Sequence, residues 1–106
     1  RSFQQTIQPN QHEVYGEEGK DKSVTLTCTY DTEYTNSYAD LYWYRHYPNQ
    51  APQFLLYKGA RSSTSEHIPD KRYKSATSQT STQLDITSLT LADTALYYCA
   101  LREYTQ

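Results

Sequence analysis

The two cysteines are the side chains of this chain with the most definite chemistry. Cys28 and Cys99 are its only sulfur-bearing residues, because methionine is absent. Two cysteines and no others predict a single disulfide bond formed in an oxidising compartment. Closing so long a loop stabilises the folded state by about 4 kcal/mol in the chain-entropy account. We therefore expect a domain that lies outside the reducing cytosol, with both cysteines committed to the bond.

Catalytic and metal chemistry would need residues at spacings that this chain does not have. Its three histidines, His12, His46 and His67, match no metal-ligand motif, and two bonded cysteines leave no zinc quartet. With three glycines in all, the chain has no phosphate-binding loop, and it has no nucleophile elbow or paired-carboxylate signature. We expect no enzyme, no metal and no cofactor.

Length and composition limit the classes of protein further. The 106 residues suffice for one domain, 1–106, and the formal net charge of −2 disfavours nucleic-acid binding. No apolar run approaches the roughly 20 residues of a membrane span, so we expect no direct membrane insertion. The mean hydropathy is −0.93, yet the chain carries twelve tyrosines. Tyrosine joins an apolar ring to a polar tip and suits half-exposed contact surfaces.

The alternation of apolar and polar residues predicts strands and no long helix. It is clearest from Ser23 to Tyr30, where Val24, Leu26 and Cys28 would share one face. Further strands are predicted at 3–8, interrupted by Pro9 and resuming at 13–15, and at 41–47, 53–57, 72–77, 83–87 and 95–101, with a short helical turn before Asp93. The chain is predicted to be all-β.

Two aromatic residues stand in a particular relation to the cysteines. Trp43 lies between them, and Tyr97 comes two residues before the second, in the run Asp93-Thr94-Ala95-Leu96-Tyr97-Tyr98-Cys99. A variable-type immunoglobulin domain bonds one cysteine in each sheet, packs a tryptophan on the bond and places a tyrosine at this corner. By this resemblance we expect a V-type β-sandwich of two antiparallel sheets with one inter-sheet disulfide.

Two of the predicted strands carry an unusual outer face. If Trp43 and Cys99 point into the sandwich, the period of two sends their neighbours outward. The outward set is Tyr42, Tyr44, His46, Leu96, Tyr98 and Ala100, extended by Pro52 and Phe54. Monomers rarely expose a contiguous apolar patch beyond a few hundred Å². This pattern favours a partner-binding face, although tyrosine is also simply a good strand former.

The chain resembles a T-cell receptor variable domain of the alpha/delta type over nearly its whole length. The residues that carry the resemblance are Cys28-Thr29-Tyr30-Asp31-Thr32, Trp43-Tyr44-Arg45, Gln50-Ala51-Pro52-Gln53-Phe54-Leu55-Leu56-Tyr57, and Asp93 through Glu103. The sequence of the framework strands resembles that of a non-mammalian vertebrate. The resemblance implies the extracellular domain of a plasma-membrane receptor.

The resemblance also implies roles for residues on the sheets. Pairing with a beta (or gamma) chain variable domain would use Tyr44, His46, Pro52, Phe54 and Tyr98. His46 departs from the family, which usually has a glutamine there, but a neutral imidazole also donates and accepts a hydrogen bond. Structural roles would fall to Trp43, Tyr97 and an ion pair of Arg72 with Asp93.

Antigen-facing residues would lie on three loops at one end, about 32–40, 58–65 and the segment after Cys99. They would bind a peptide presented by a major histocompatibility molecule. The candidates are Tyr34, Asn36, Tyr38, Lys58, Arg61, Arg102, Glu103 and Tyr104. The first loop mixes tyrosines with adaptable polar groups, as is typical of such contact loops, and without the sandwich frame it would equally fit an ordinary hydrophilic hairpin.

One part of the family pattern is missing. The joining segment Phe-Gly-x-Gly, which forms strand G, does not occur, so strand G is expected to be absent or incomplete. The strand that carries Cys99 would then keep an unpaired edge. The alternative function is an innate V-set immune receptor or adhesion module that uses its outer sheet face for homophilic or counter-receptor binding.

Overall fold

The computed structural model describes residues 6–8, 11–16, 22–31, 38–61 and 66–104, with the side chains of residues 6–8, 61 and 104 outside that description. Within these ranges the chain forms nine strands and one 3₁₀ turn. They are β1 Thr6–Gln8, β2 Gln11–Val14, β3 Ser23–Asp31, β4 Tyr38–His46, β5 Gln53–Arg61, β6 Glu66–His67, β7 Tyr73–Thr77, β8 Ser81–Thr87, the turn Leu91–Asp93 and β9 Ala95–Tyr104.

The strands form two antiparallel sheets packed face to face. One sheet has the order β1-β3-β8-β7, and the other has the order β2-β9-β4-β5-β6. Cys28 of β3 and Cys99 of β9 are disulfide-bonded, so the bond joins the two sheets. The predicted all-β sandwich with one inter-sheet disulfide is therefore confirmed.

The core lies between the sheets, around Trp43. This side chain is fully buried at the centre of β4, as are Leu84 and Ile86 on β8 in the facing sheet. Burying a side chain of that size contributes roughly 1.5–3 kcal/mol. Along β3 the buried and exposed positions alternate strictly from Thr25 to Asp31, as predicted for a strand with one face in the core.

The N-terminal strands divide between the two sheets. β1 pairs with β3, whereas β2 pairs with the first part of β9, from Gln11 opposite Tyr98 to Val14 opposite Ala95. The expectation of an unpaired edge on the Cys99 strand is therefore wrong for this part of β9. The physical reason is that bare N–H and C=O groups of a sheet edge gain from any strand that can reach them.

Three strands of the second sheet are longer than predicted. β4 begins at Tyr38, β5 continues to Arg61 and β9 continues to Tyr104. Their ends pair directly, because Tyr38 lies opposite Arg61 on one side and opposite Tyr104 on the other. Because the ends of these strands pair with one another, the sheet continues through polar residues. The alternation of apolar and polar residues in the sequence assigns those residues to loops. The two-residue strand β6 was not predicted.

A buried corner precedes β9. The hydroxyl of Tyr97 donates to the main-chain oxygen of Asp93 (2.8 Å), and both guanidinium arms of Arg72 donate to the Asp93 carboxylate (2.9 and 3.1 Å). The Asp93 side chain is only 1% exposed, whereas that of Arg72 is 32% exposed. The corner thus holds a carboxylate almost out of water against a half-buried cation.

The carboxyl of Asp93 stays ionised despite its burial. Burial by itself raises its pKa, but hydrogen bonds from Arg72 and from the Thr90 N–H (2.9 Å) outweigh that effect and hold the pKa below its usual value. A lowered pKa in the folded state means that the pair contributes stability above the pKa of the unfolded chain. That contribution is lost as the pH falls through the folded-state pKa.

Replacing Arg72 by methionine should lower the free energy of unfolding by about 2–4 kcal/mol at pH 7, because it strands a buried carboxylate. The deficit should shrink between pH 7 and pH 4, since Asp93 can then accept a proton and become neutral. Urea titrations at both pH values measure this. Lys71→Met removes an exposed positive charge next door and is the matched control, with little expected effect. A deficit independent of pH would contradict the assignment.

Gly16 follows β2 and touches the segment before β9. Its N–H donates to Oγ1 of Thr94 (2.8 Å), and a Cβ built on Gly16 would overlap the carbonyl oxygen of Thr90. Gly16→Ala should therefore cost about 1–3 kcal/mol of stability through overpacking. Thermal unfolding measures the loss. A Tyr15→Ala variant, changed one residue earlier at a 75% exposed side chain, should unfold close to wild type. Equal stability of Gly16→Ala and wild type would exclude this close approach.

Candidate functional site

The outer face of the second sheet carries the aromatic residues. Along β4, Trp43 points into the core, while Tyr42, Tyr44 and His46 point outward and stay partly buried. Along β9, Tyr97 and Cys99 are buried, and Tyr98 lies between them on the outer side. The period of two therefore places the core anchors and the surface aromatics on opposite faces of the same strands.

A β-bulge in β5 aligns a third strand with this face. Trp43 pairs with Leu56 and Tyr44 pairs with Phe54, so Leu55 has no opposite residue on β4. Leu55 and Leu56 are both buried, although they are consecutive. A bulge lets two neighbouring side chains point to one side of a strand. Phe54 and Tyr57 consequently both face outward.

The outward rings contact one another across three strands. Ring centroids lie 5.2 Å apart for Tyr42 and Tyr57, 6.0 Å for Tyr44 and Phe54, and 6.0 Å for Phe54 and His67 of β6. Aromatic pairs at such distances contribute about 0.5–1.5 kcal/mol beyond the area that they bury. We call this surface the aromatic face; it consists of Tyr42, Tyr44, His46, Phe54, Tyr57, His67 and Tyr98.

The centre of the aromatic face is concave. Tyr44, Pro52 and Tyr98 line a surface depression of about 280 Å³. His46 lies beside it, with its ring 5.9 Å from that of Tyr98 and its Nδ1 3.4 Å from the Tyr98 hydroxyl oxygen. Phe54 at the margin is 43% exposed, the kind of apolar side chain that a partner would cover.

The five residues predicted for partner contact all lie on or beside the aromatic face. They are Tyr44, His46, Pro52, Phe54 and Tyr98. Sequence reasoning missed Tyr57 and His67. The bulge that turns Tyr57 outward left no mark in the alternation of apolar residues. The strand of His67 has two residues, too few for any periodic signal.

Several predicted antigen-facing residues meet at the end of the sheet where β4 begins. The backbones of Arg61, Tyr38 and Tyr104 form one row across β5, β4 and β9. Glu103 and Arg102 follow on β9, and Arg102 lies directly opposite Asp40. The predicted loop residues that belong to strands instead are Tyr38, Arg61, Arg102, Glu103 and Tyr104. Tyr34 and Asn36 lie outside the described residues.

Lys58 differs from its predicted placement in a loop. It lies inside β5, and its ammonium donates to the main-chain oxygen of Ser75 (3.1 Å) and lies 4.0 Å from the carboxylate of Glu66. Extended pairing of β5 with β4 and β6 places it in the sheet. This position turns its charge toward the neighbouring sheet edge.

His12, the third histidine, has a different environment from the other two. Its ring lies 6.0 Å from that of Trp43, and its Nε2 lies 3.6 Å from the sulfur of Cys28. In the described parts of the chain, no three His, Cys, Asp or Glu side chains form a group that could hold a metal ion. The side chain of His12 thus points from β2 toward the disulfide and packs at the margin of the core.

The sheet order, the bond and the buried tryptophan agree with a comparison against known families. Residues 10–106 match the immunoglobulin V-set domain. The chain belongs to the immunoglobulin V-set family. The V-set domains of T-cell receptor type that this chain is similar to form a non-enzymatic receptor family.

Individual relatives of this V-set domain are antigen-receptor variable regions. Human T cell receptor alpha variable 18 is 35% identical over 82 residues, which is 76% of this chain and 68% of the relative. Human T cell receptor alpha variable 14/delta variable 4 is 37% identical over 84 residues, 77% of this chain and 69% of the relative. The rabbit Ig kappa chain V region K-25 is 35% identical over 82 residues, 77% of this chain and 70% of the relative.

The aligned segments cover only part of the length of these relatives. For a rabbit T-cell receptor alpha chain V region the aligned segment spans 57% of the relative, little more than half. The expected resemblance to alpha/delta variable domains is confirmed. The relatives named here are mammalian and do not test the expectation of a non-mammalian source.

V-set domains of this type are typically the extracellular parts of membrane receptors. Within the residues that the structure describes, no helix has the length and apolarity needed to cross a bilayer. The chain is thus a V-set domain of the antigen-receptor type, with an aromatic surface on one sheet.

Proposed function

We propose that this V-set domain is the antigen-recognition variable domain of a T-cell receptor alpha (or delta) chain on the cell surface. It would pair with a beta (or gamma) variable domain through the aromatic face. The paired domains would bind a peptide presented by a major histocompatibility molecule. The relatives named above support the chain type, and the aromatic face is the observation that carries the proposal.

Partner binding follows from the composition of the aromatic face. A solvated sheet surface carries charged and hydroxyl side chains, as β3 does with its exposed Thr25, Thr27 and Thr29. The aromatic face has rings instead, and at its centre a depression between Tyr44 and Tyr98. A stable interface between two such domains buries about 1,200–2,000 Å² in total, with aromatic side chains at its core.

The antigen-facing role rests on the end of the sheet where β4 begins. Three strands bring Arg61, Tyr38 and Tyr104 into one row there, with Arg102 on the same edge. Binding energy at interfaces concentrates in a few tyrosine, tryptophan and arginine anchors. The row supplies these residue types at the end of the domain opposite to Tyr15 and Gly16.

The pairing is tested with a double substitution, Phe54→Glu and Tyr98→Arg. Charges at these positions would be buried among aromatic rings on pairing, so association should weaken at least about 100-fold. Soluble beta and gamma variable domains serve as probes, with a kappa variable domain for comparison, in sedimentation velocity or surface plasmon resonance. The matched control is Thr27→Arg with Lys74→Glu, which changes exposed positions on the other sheet. If the double variant bound as tightly as the control, the aromatic face would not be the interface.

Antigen contact is tested by alanine substitution at Tyr34, Tyr38, Arg102 and Tyr104 in the paired receptor. At least one of them should cost more than 1 kcal/mol in binding the peptide–histocompatibility complex that the receptor selects from a displayed library, a cost typical of hot spots. Tyr15→Ala, at the opposite end, is the control and should bind as wild type.

The alternative function, an innate receptor or adhesion module, predicts the reverse pattern. Losses below about 0.5 kcal/mol at all four anchors, alongside large losses on changing Tyr44 or Phe54 in the same assay, would favour the alternative. Its ligand would then bind the aromatic face directly.

A further inference from the structure

The aromatic face contains two histidines and no other described side chain that ordinarily changes charge between pH 5 and 8. His46 lies at its β9 side and His67 at its β6 side. No carboxylate, ammonium or guanidinium group belongs to the face as defined. Histidine is the residue whose charge responds to this pH range. Of the seven side chains that define the face, these two imidazoles are therefore the ones that can change charge in this range.

One described carboxylate, that of Glu13, lines the same cavity as His46. On β9 the histidine faces Leu96 and the Tyr98 hydroxyl. Toward β2 it shares a cavity of about 370 Å³ with Glu13 and Tyr15, where the Tyr15 hydroxyl donates to Glu13 (3.1 Å).

On its own strand, Arg45 precedes His46. The Arg45 guanidinium donates to the Gln53 side chain (2.9 Å) and lies over the Tyr47 ring. No described hydrogen bond joins Glu13 to His46. The hydrogen-bond contact that the structure describes for this imidazole is the one with the Tyr98 hydroxyl.

His67 stacks on the ring of Phe54 at the β6 side of the aromatic face. Its ring lies 6.0 Å from Phe54 with an angle of 7° between the planes, and it pairs across the strands with Tyr57. Beside it in the described β5–β6 ladder are Lys58 and Glu66, whose charged groups lie 4.0 Å apart. The Glu66 carboxylate thus already has the Lys58 ammonium beside it. A protonated His67 would add a second cation next to that carboxylate.

We infer that pairing over the aromatic face is released by acid, because His46 and His67 must be neutral when a partner covers them. This inference rests on the proposed function and adds a regulatory property to that site. In the free domain, water solvates an imidazolium at either position. In the pair, the same charge would lie among tyrosine and phenylalanine rings, where an unpaired charge is costly.

The direction and size of the effect follow from linkage. The paired domain binds fewer protons than the free one, so lowering the pH favours dissociation. An imidazole in water has a pKa of about 6.5, and one that must lose its proton on pairing reduces the affinity about tenfold at pH 5.5. Two such groups give a weakening of about 100-fold between pH 7.5 and pH 5.5.

The experiment measures the dissociation constant of the wild-type domain and a soluble beta variable domain at pH 7.5 and pH 5.5. His46→Gln and His67→Gln should each remove about tenfold of the pH dependence, and the double variant should remove nearly all of it. Glutamine keeps a hydrogen-bond donor and acceptor but cannot be protonated in this range. Circular dichroism at both pH values checks that each domain stays folded.

His12→Gln is the matched control, because His12 faces the disulfide rather than the aromatic face. Its pairing should keep the pH dependence of the wild type. An equal pH dependence in wild type and double variant would overturn the inference while leaving pairing intact. Absence of pairing at pH 7.5 with every beta and gamma domain tried would instead overturn the proposed function, and the inference with it.

Discussion

The contact between Trp43 and the Cys28–Cys99 bond is the constraint on which the rest of the structure depends. It holds the centres of two sheets together and fixes which way β4 and β9 face. Because side chains alternate along a strand, an inward Trp43 requires an outward Tyr42 and Tyr44. The surface proposed to bind a partner is therefore a consequence of how the core is filled.

Much of the fold could be predicted because its determinants are local in the sequence. Strict alternation on β3, two cysteines and a tyrosine before Cys99 specify strands, bond and corner without knowledge of the rest. The Tyr97 hydroxyl and the Arg72 guanidinium both reach Asp93, as the resemblance implied. The outward position of Tyr44 and Tyr98 followed from the same alternation.

The features that escaped prediction depend on pairing between distant segments. β2 pairs with β9 because the edge of β9 can accept another strand. The residues Gln11–Val14 carry no sequence pattern that predicts this pairing. The ends of β4, β5 and β9 extend one another, so polar residues such as Arg102 become part of a strand. His67 belongs to the aromatic face only because two residues of β6 add to the edge of β5.

The bulge at Leu55 gives β5 an unequal tolerance of changes in length. Losing one of the two consecutive leucines would leave Phe54 outward, a leucine inward and Tyr57 outward, in an ordinary alternating ladder. Gaining a residue at the same point would also leave Phe54 and Tyr57 on one face, four residues apart, but it would shift one side of the strand by two positions in its pairing with β4. A change in the length of this segment should therefore be tolerated more readily as a shortening than as a lengthening.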